Sequence, residues 1–385
     1  MQKFQINHPE KIHNKLNEWL TELVSRDGIK HAIIGLESGD RHFKWIGAKG
    51  DARESGVPIQ GHTPFFIASV TKLFIAAAIL RLYEQQRIDL TDSITKILPE
   101  AITKGLHHYK GRDYSDKITV RHLLSHTSGL PDWLEDRPKK EKSLLETIDQ
   151  IEEWHITIKD AAEYVRDHLT PHFAPQPFKK KRPKVRYSDT NFQLLIAIIE
   201  EVTEKPIYRA FEELVYQKIG LIDTFHPGHQ SSDQLEMPAD FWVDQKAFTK
   251  TLLLQSFRDL YSTADELLVF MKGLIRGRIF DDPQTAGLMQ QQWNSFGFPT
   301  DAVALRLPSW PIEYGLGIMR FKIPRLLTPF NPVPTIIGHT GVTGSWLFYC
   351  PELDFYLCGS VSQTSQTRLP YQLVPKILQY LQKEA

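Results

Sequence analysis

Eight consecutive residues, Leu73-Phe74-Ile75-Ala76-Ala77-Ala78-Ile79-Leu80, offer no polar side chain. A helix made of them is apolar on every side, and such a helix lies buried in protein rather than on a surface. It is also far short of the roughly 20 residues that span a bilayer. The remaining chain must cover it, and 385 residues supply ample core without a disulfide or metal staple. Directly ahead stands Ser69-Val70-Thr71-Lys72. A hydroxyl and an amine three residues apart share one helix face, with β-carbons roughly 5–6 Å apart. A serine hydroxyl is a weak nucleophile that needs a neighbouring base. Lysine is such a base where burial and cationic neighbours keep it neutral. The positive helix N-terminus also suits a developing oxyanion.

Short motifs recur by chance, and context separates the copies. Ser93-Ile94-Thr95-Lys96 repeats the pattern but runs into Pro99 and opens no buried helix. Tyr187-Ser188-Asp189 precedes a second apolar helix beginning near Asn191. Near a cationic lysine a phenolate is favoured, so Tyr187 can serve as general base and then acid. Asp189 can pair with Lys72 or accept a substrate N–H. The other Tyr-Ser-Asp, at Tyr114, lies in a charged loop with no such helix behind it. His339-Thr340-Gly341 opens a glycine-rich stretch that reads as a strand, and glycine there lets a substrate backbone approach. The amides of Val342 and Ser69 are then candidates for an oxyanion hole. In His226-Pro227-Gly228 proline removes an N–H, which argues against strand pairing.

Lys+Arg and Asp+Glu each number 46, so the formal net charge is 0. No overall basic field for nucleic acid exists. The partner expected is a small-molecule ester, amide or short peptide, with no nucleic acid and no membrane, and oligomeric state is open. No metal is expected: His122 and His126 are four apart, but Leu123 breaks any His-Glu-x-x-His pattern, and both read as structural. His107 and His108 read as surface residues. The two cysteines exclude a disulfide scaffold. A turn at residues 351–354 would set Cys358 opposite Leu347, roughly 10 Å from Cys350 at 3.3 Å per residue, so both are expected as free thiols. The N-terminal residues show no apolar signal region, and the expected compartment is cytoplasmic.

Apolar spacing predicts helices over 8–25, 69–86, 119–125, 157–168, 191–203, 263–275 and 371–383. Strand-like runs cover 30–36, 42–46, 314–323, 335–337, 345–350 and 355–361. The β-rich parts lie at the two ends, which implies an α+β fold: an antiparallel sheet flanked by helices from both termini, with an all-α domain inserted. The expected domains are 1–86 with 300–385, and 87–299. The basic run 179–184 reads as a solvated loop, a nucleic-acid patch, or a rim that attracts anionic substrates. Phe173, Phe178, Trp133 and Trp154 either line an acyl pocket or pack in the core.

The order Ser-x-x-Lys, Tyr-x-Asp, His-Thr-Gly resembles that of the penicillin-recognising serine hydrolases: class C β-lactamases, D-alanyl-D-alanine carboxypeptidases and related esterases. The likeness extends to residues 62–68, to Thr119-Val120-Arg121-His122-Leu123-Leu124-Ser125-His126-Thr127-Ser128-Gly129-Leu130, to residues 260–267 and to Tyr314-Gly315-Leu316-Gly317. It implies a β-lactamase/transpeptidase-like fold and a cofactor-free acyl transfer. Ser69 resembles the acylated nucleophile, Lys72 the proton-relay lysine and Tyr187 the general base. The Ser69 and Val342 amides would bind the oxyanion, with Asp189, His339, Thr340 and Gly341 against substrate. Two positions depart from the usual pattern. Asp189 stands where the family often has Asn, and His339 where β-lactamases usually have Lys. The expectation is a hydrolase cleaving an ester or an amide, including peptides with D-configured residues. A D,D-carboxypeptidase or β-lactamase is the nearest alternative, and a non-catalytic binding protein on the same fold is the alternative of another class.

Overall fold

The computed structural model describes residues 6, 8–139, 141–148, 150, 155–178, 180–230, 236–298, 307–328, 330 and 332–384. The chain forms two compact units. The first comprises Met1–Leu73, Tyr216–Arg278 and Phe321–Ala385, the second Phe74–Val215 and Ile279–Arg320.

Five strands of the main antiparallel sheet lie wholly in the first unit: β1 His31–Ser38, β2 Lys44–Gly50, β3 Ile336–Thr340, β4 Trp346–Cys350 and β5 Phe355–Ser360, in the spatial order β2–β1–β5–β4–β3. Every residue of β1 is buried. Side chains alternate between the faces of a strand, so both faces of β1 must be covered. Helix Ala264–Ile275 lies against β1, where Ala264 and Leu268 approach Gly35. Helix Pro9–Val24 lies against β2, with Leu20 beside Gly47. Proline at its first turn fits the helical φ and lacks only an N–H that would have no partner there. Its buried residues Ile12, Leu16, Trp19, Leu20 and Leu23 are those the spacing selects. Trp19 meets Tyr380 of the closing helix Pro370–Glu384 edge-on at 5.6 Å. The hairpin register pairs Leu347 with Cys358, as the turn placement predicts, and both cysteines are free and buried.

Helices Ile158–His168 and Asp189–Thr203 dominate the second unit. Thr157 caps the first through Asp160 N, and Asp160 returns the bond to Thr157 N. The chain passes from the first unit into the second within helix Thr71–Glu84, between Leu73 and Phe74. Residues 73–80 are at most 2 % exposed.

Three sequence readings change. Residues 216–278, read as part of the helical insert, belong to the first unit, because helix Ala264–Ile275 covers the sheet, while 74–86 and 307–320, read with the sheet, belong to the second. Periodicity identifies the apolar stripe of a helix but not the surface that receives it. The run 314–323 is two strands, Ile312–Tyr314 and Met319–Phe321. Gly317 turns between them at φ +72°, where glycine is unstrained. His107 is not on the surface: it is fully buried, with Nε2 3.0 Å from the Phe173 carbonyl. His108 is exposed. Among the described residues no helix is long and apolar enough to cross a membrane.

Candidate active site

Ser69 lies in a single 3-10 turn, Ala68–Val70, that runs directly into helix Thr71–Glu84. The turn begins at Ala68 with φ +46°. That conformation costs an L-residue roughly 1–2 kcal/mol and persists where the surroundings fix it. Here they do. Phe65–Phe66 pairs with Tyr261–Ser262, Ile67 N–H donates to the Leu260 carbonyl at 2.9 Å, and Leu260 N–H donates to Thr71 Oγ1 at 3.0 Å. Phe66 stacks on Phe241 with centroids 5.0 Å apart. Lys72 is 3 % exposed, and its Nζ donates to Ser69 Oγ at 3.0 Å. Hydroxyl and amine are therefore in direct contact, as the three-residue spacing requires.

The end of β3 presses against this turn. A β-carbon on Gly341 would lie 2.2 Å from Ser345 Oγ, 2.6 Å from the Ile67 carbonyl oxygen and 2.9 Å from Ala68 Cβ, so only glycine fits. Ser345 Oγ donates to the Ile67 carbonyl at 2.8 Å, and Thr343 Oγ1 to the Phe66 carbonyl at 3.3 Å. Val342, at the tip of this turn, is 37 % exposed. His339 is fully buried. Burial, and then the Lys72 charge, push its pKa down to about 3. The ring is neutral, and Nδ1 carries the proton because its partner at 2.7 Å is the Thr340 carbonyl. Thr340 Oγ1 lies 3.1 Å from the Tyr371 hydroxyl. Burial raises that phenol's pKa to about 12, so it stays protonated.

Tyr187 and Asp189 belong to the second unit and are set by a different device. The chain enters helix Asp189–Thr203 at Ser188, and the segment 126–133 clamps this entry through side chains. Ser188 Oγ and Thr190 Oγ1 both donate to the Pro131 carbonyl, at 2.9 and 2.7 Å. Trp133 N–H donates to Thr190 Oγ1 at 3.0 Å. Asp189 N–H donates to Asp132 Oδ2 at 2.8 Å, and Asp132 Oδ1 accepts the N–H groups of Leu134 and Glu135. Burial, then the nearby Asp189 carboxylate, raise the Asp132 pKa well above the usual range. For the next carboxyl, Asp136, burial pushes upward as well. A 2.8 Å contact from His172 and a 2.7 Å bond from Arg186 outweigh it and hold the pKa low. Tyr187 itself is buried, with its ring 4.5 Å from that of His126. Gly129 keeps the clamp tight: a β-carbon there would meet the Phe173 carbonyl oxygen at 1.9 Å.

The sequence motifs thus resolve into two constellations. Ser69, Lys72, His339, Thr340, Gly341 and Val342 come together in the first unit, and Tyr187 and Asp189 stand in the second. The second copies have other local settings: Ser93 caps the four-residue helix Ile94–Ile97, and Tyr114 precedes a 3-10 turn. His122 is neutral, its pKa pushed down to about 4 by burial, with Nε2 2.8 Å from the Gln176 carbonyl. Among the described residues no cluster of His, Cys, Asp or Glu could hold a metal. Trp133 and Phe173 are buried core residues, while Phe178 is exposed and stacks on His122 at 4.4 Å. Lys180, Lys181, Arg182 and Lys184 are exposed. Trp154 and Lys179 lie outside the described residues. Sequence reasoning missed Tyr371, which carries no motif, and Asp132, whose signal is its place just after the Thr-Ser-Gly-Leu-Pro loop.

The Beta-lactamase family model matches residues 20–368. Esterase EstB of Burkholderia gladioli is 30 % identical over 174 residues, 44 % of this chain and 40 % of the esterase. A putative D-alanyl-D-alanine carboxypeptidase of Salmonella gallinarum is 24 % identical over 378 residues, 87 % of this chain and 79 % of that protein. Among solved structures, D-amino acid amidase from Ochrobactrum anthropi superposes with a TM-score of 0.75 at 20 % identity, covering 98 % of this chain and 100 % of the amidase. A D-stereospecific amidohydrolase from Streptomyces gives a TM-score of 0.68 at 24 % identity, covering 94 % and 98 %. With the family matched over most of its length and the same fold in these hydrolases, the chain belongs to the Beta-lactamase family and is a serine hydrolase of the penicillin-recognising kind.

Proposed function

We propose that this protein hydrolyses small neutral esters or amides, including amides of D-configured amino acids, through an acyl-enzyme on Ser69. The observation that carries the reading is the buried Lys72 Nζ 3.0 Å from Ser69 Oγ at the start of an apolar helix. Ser69 Oγ attacks the carbonyl carbon. Tyr187, supported by Lys72, takes the hydroxyl proton and delivers it to the leaving alcohol or amine as its bond to the carbonyl carbon breaks. Tyr187 has this role from the motif order of the family. Water, activated by the same phenolate, then cleaves the acyl ester. The Ser69 and Val342 amides receive the oxyanion. Among the described residues neither N–H has an intramolecular acceptor, which supports the assignment. Thr340 and Gly341 border the substrate, and Asp189 accepts a substrate N–H.

A neutral His339 favours this substrate class over one with a carboxylate. A lysine in its place would bring a second ammonium beside Lys72, whereas the buried imidazole brings none. The second reading, a D,D-carboxypeptidase, draws on the Salmonella relative, which matches 87 % of the chain. Mass spectrometry after exposure to a fluorophosphonate and to a penicillin separates the two. An adduct on Ser69 from the fluorophosphonate alone is expected, and adducts from both reagents would move the assignment to the carboxypeptidase. Labelling by neither, or a Ser69→Ala variant as active as its parent, would overturn the acyl-enzyme altogether.

A further inference from the structure

One residue holds both peptide flanks of Tyr187. The Arg186 N–H donates to the His126 carbonyl at 3.0 Å, and the Ser188 N–H donates to His126 Nδ1 at 3.2 Å. Asn191 Nδ2 approaches the same Nδ1 at 3.0 Å, while Asn191 Oδ1 accepts the Ser128 hydroxyl at 2.6 Å. Two N–H groups directed at Nδ1 require its lone pair, so the ring proton sits on Nε2. The imidazole packs against the Tyr187 ring at 4.5 Å and edge-on against Tyr314 at 4.5 Å. His126 is fully buried at φ +53°, a conformation that Asn, Asp and His adopt more readily than other L-residues. The reaction described above gives His126 no step, and its spacing from His122 led only to a structural reading.

We propose that His126 is the positioning residue of Tyr187, fixing it at once through a backbone carbonyl, a ring nitrogen and a ring face. The neighbouring histidines differ in kind. His107 and His122 direct Nε2 to the carbonyls of Phe173 and Gln176 and so tie down the 171–176 segment. His126 instead holds the chain on both sides of the phenol-bearing residue. A general base displaced by about 1 Å loses on the order of 10² in rate, which is the effect such a clamp prevents. The inference rests on reading Tyr187 as the base.

The test compares kcat, KM and Tm for a p-nitrophenyl ester across His126→Ala, His126→Asn, His126→Gln, Tyr187→Phe and the double variant Tyr187→Phe/His126→Ala. Asn places an amide oxygen where Nδ1 sits and tolerates the left-handed φ, whereas Gln places its acceptor one carbon further out. His126→Ala and His126→Gln should each lower kcat about 10²-fold with KM little changed, and His126→Asn should recover to within about tenfold of the parent. Added to Tyr187→Phe, His126→Ala should lower kcat no further. Equal losses for Asn, Gln and Ala, an unchanged kcat in His126→Ala, or a full additional loss in the double variant would overturn the proposal. If His126→Ala does not fold, the Asn-against-Gln contrast decides alone, in the parent and in the Tyr187→Phe background. A Tyr187→Phe variant with the parent's kcat would remove the base assignment itself, and the clamp with it.

Discussion

The two constellations are held in place by opposite means. Around Ser69 the fixing contacts are a strand pair at Phe65–Phe66, the Thr343 and Ser345 hydroxyls on the Phe66 and Ile67 carbonyls, and above all the close packing of Gly341 against Ala68. Around Tyr187 the fixing contacts are buried polar side chains: His126, Asp132, Ser188, Thr190 and Asn191. The first arrangement tolerates little change of size, because Gly341 has no room for a β-carbon. The second tolerates little loss of polarity, because each removed group strands a buried partner. A serine that follows φ-strained backbone at Ala68 is held by its own chain, whereas a loop tyrosine at a helix entrance is held by what surrounds that entrance.

The sharpest way to break this contrast is one methyl group. Gly341→Ala places a carbon 2.6 Å from the Ile67 oxygen and 2.2 Å from Ser345 Oγ. Overpacking of that kind costs about 1–3 kcal/mol, and a shifted serine turn should lower kcat on the order of 10²-fold. Steady-state kinetics and thermal unfolding read both. An active, equally stable Gly341→Ala enzyme would show that the close approach does not set the serine. The matching change in the other constellation is Asp132→Ala, which strands the N–H groups of Asp189, Leu134 and Glu135. It should cost on the order of 3 kcal/mol in urea unfolding. Asp132→Asn should cost less, since its oxygen can still accept from Leu134 and Glu135. Equal stability of Asp132→Ala and the parent would remove the carboxyl from the clamp.

The same contrast explains what the sequence made legible. Local chemistry was readable: the Ser69–Lys72 contact follows from helical pitch, the Leu347–Cys358 register from a four-residue turn, and the helix Pro9–Val24 from its apolar stripe. So was the difference between Ser69 and its copy at Ser93, because only the first opens a buried helix. What stayed hidden was long-range polar pairing. Nothing near Tyr371 announces that its hydroxyl meets Thr340, 31 residues away, and nothing near His107 announces its burial against Phe173. A polar residue's burial is decided by a partner elsewhere in the chain, and no periodicity records that partner. Assignment of residues 216–278 failed for the same reason: which surface receives a helix is a tertiary fact.

Acid should separate the two constellations less strongly. In the first unit burial pushes the pKa of His31 to about 4 and those of His226 and His339 to about 3, and in the second it pushes His122 to about 4. An unfolded histidine, with pKa near 6.5, binds a proton that the folded one refuses. The unfolded state therefore gains protons first, and stability falls as pH drops below about 6.5 until the folded pKa is reached. Each such histidine contributes a slope of at most about 1.4 kcal/mol per pH unit in that window. Urea unfolding at pH 7.5, 6 and 5 should show the decline, and a His31→Gln variant should flatten it. A stability independent of pH between 7 and 5 would mean that these rings are not buried neutral.

The smallest expected effect probes the Tyr371 hydroxyl contact at the edge of the serine constellation. Tyr371→Phe deletes the phenol that lies 3.1 Å from Thr340 Oγ1 but keeps the ring between Phe321 and Phe348. Thr340 keeps its backbone place on β3, paired with Trp346, so its position is set by the sheet and not by the phenol. The loss should be about 1 kcal/mol in stability, the usual worth of one neutral hydrogen bond, with kcat within about threefold of the parent. A fall in kcat as large as that of Gly341→Ala would mean that the serine constellation depends on this distant phenol as strongly as on its own close packing, and the contrast drawn between the two regions would fail at its most exposed point.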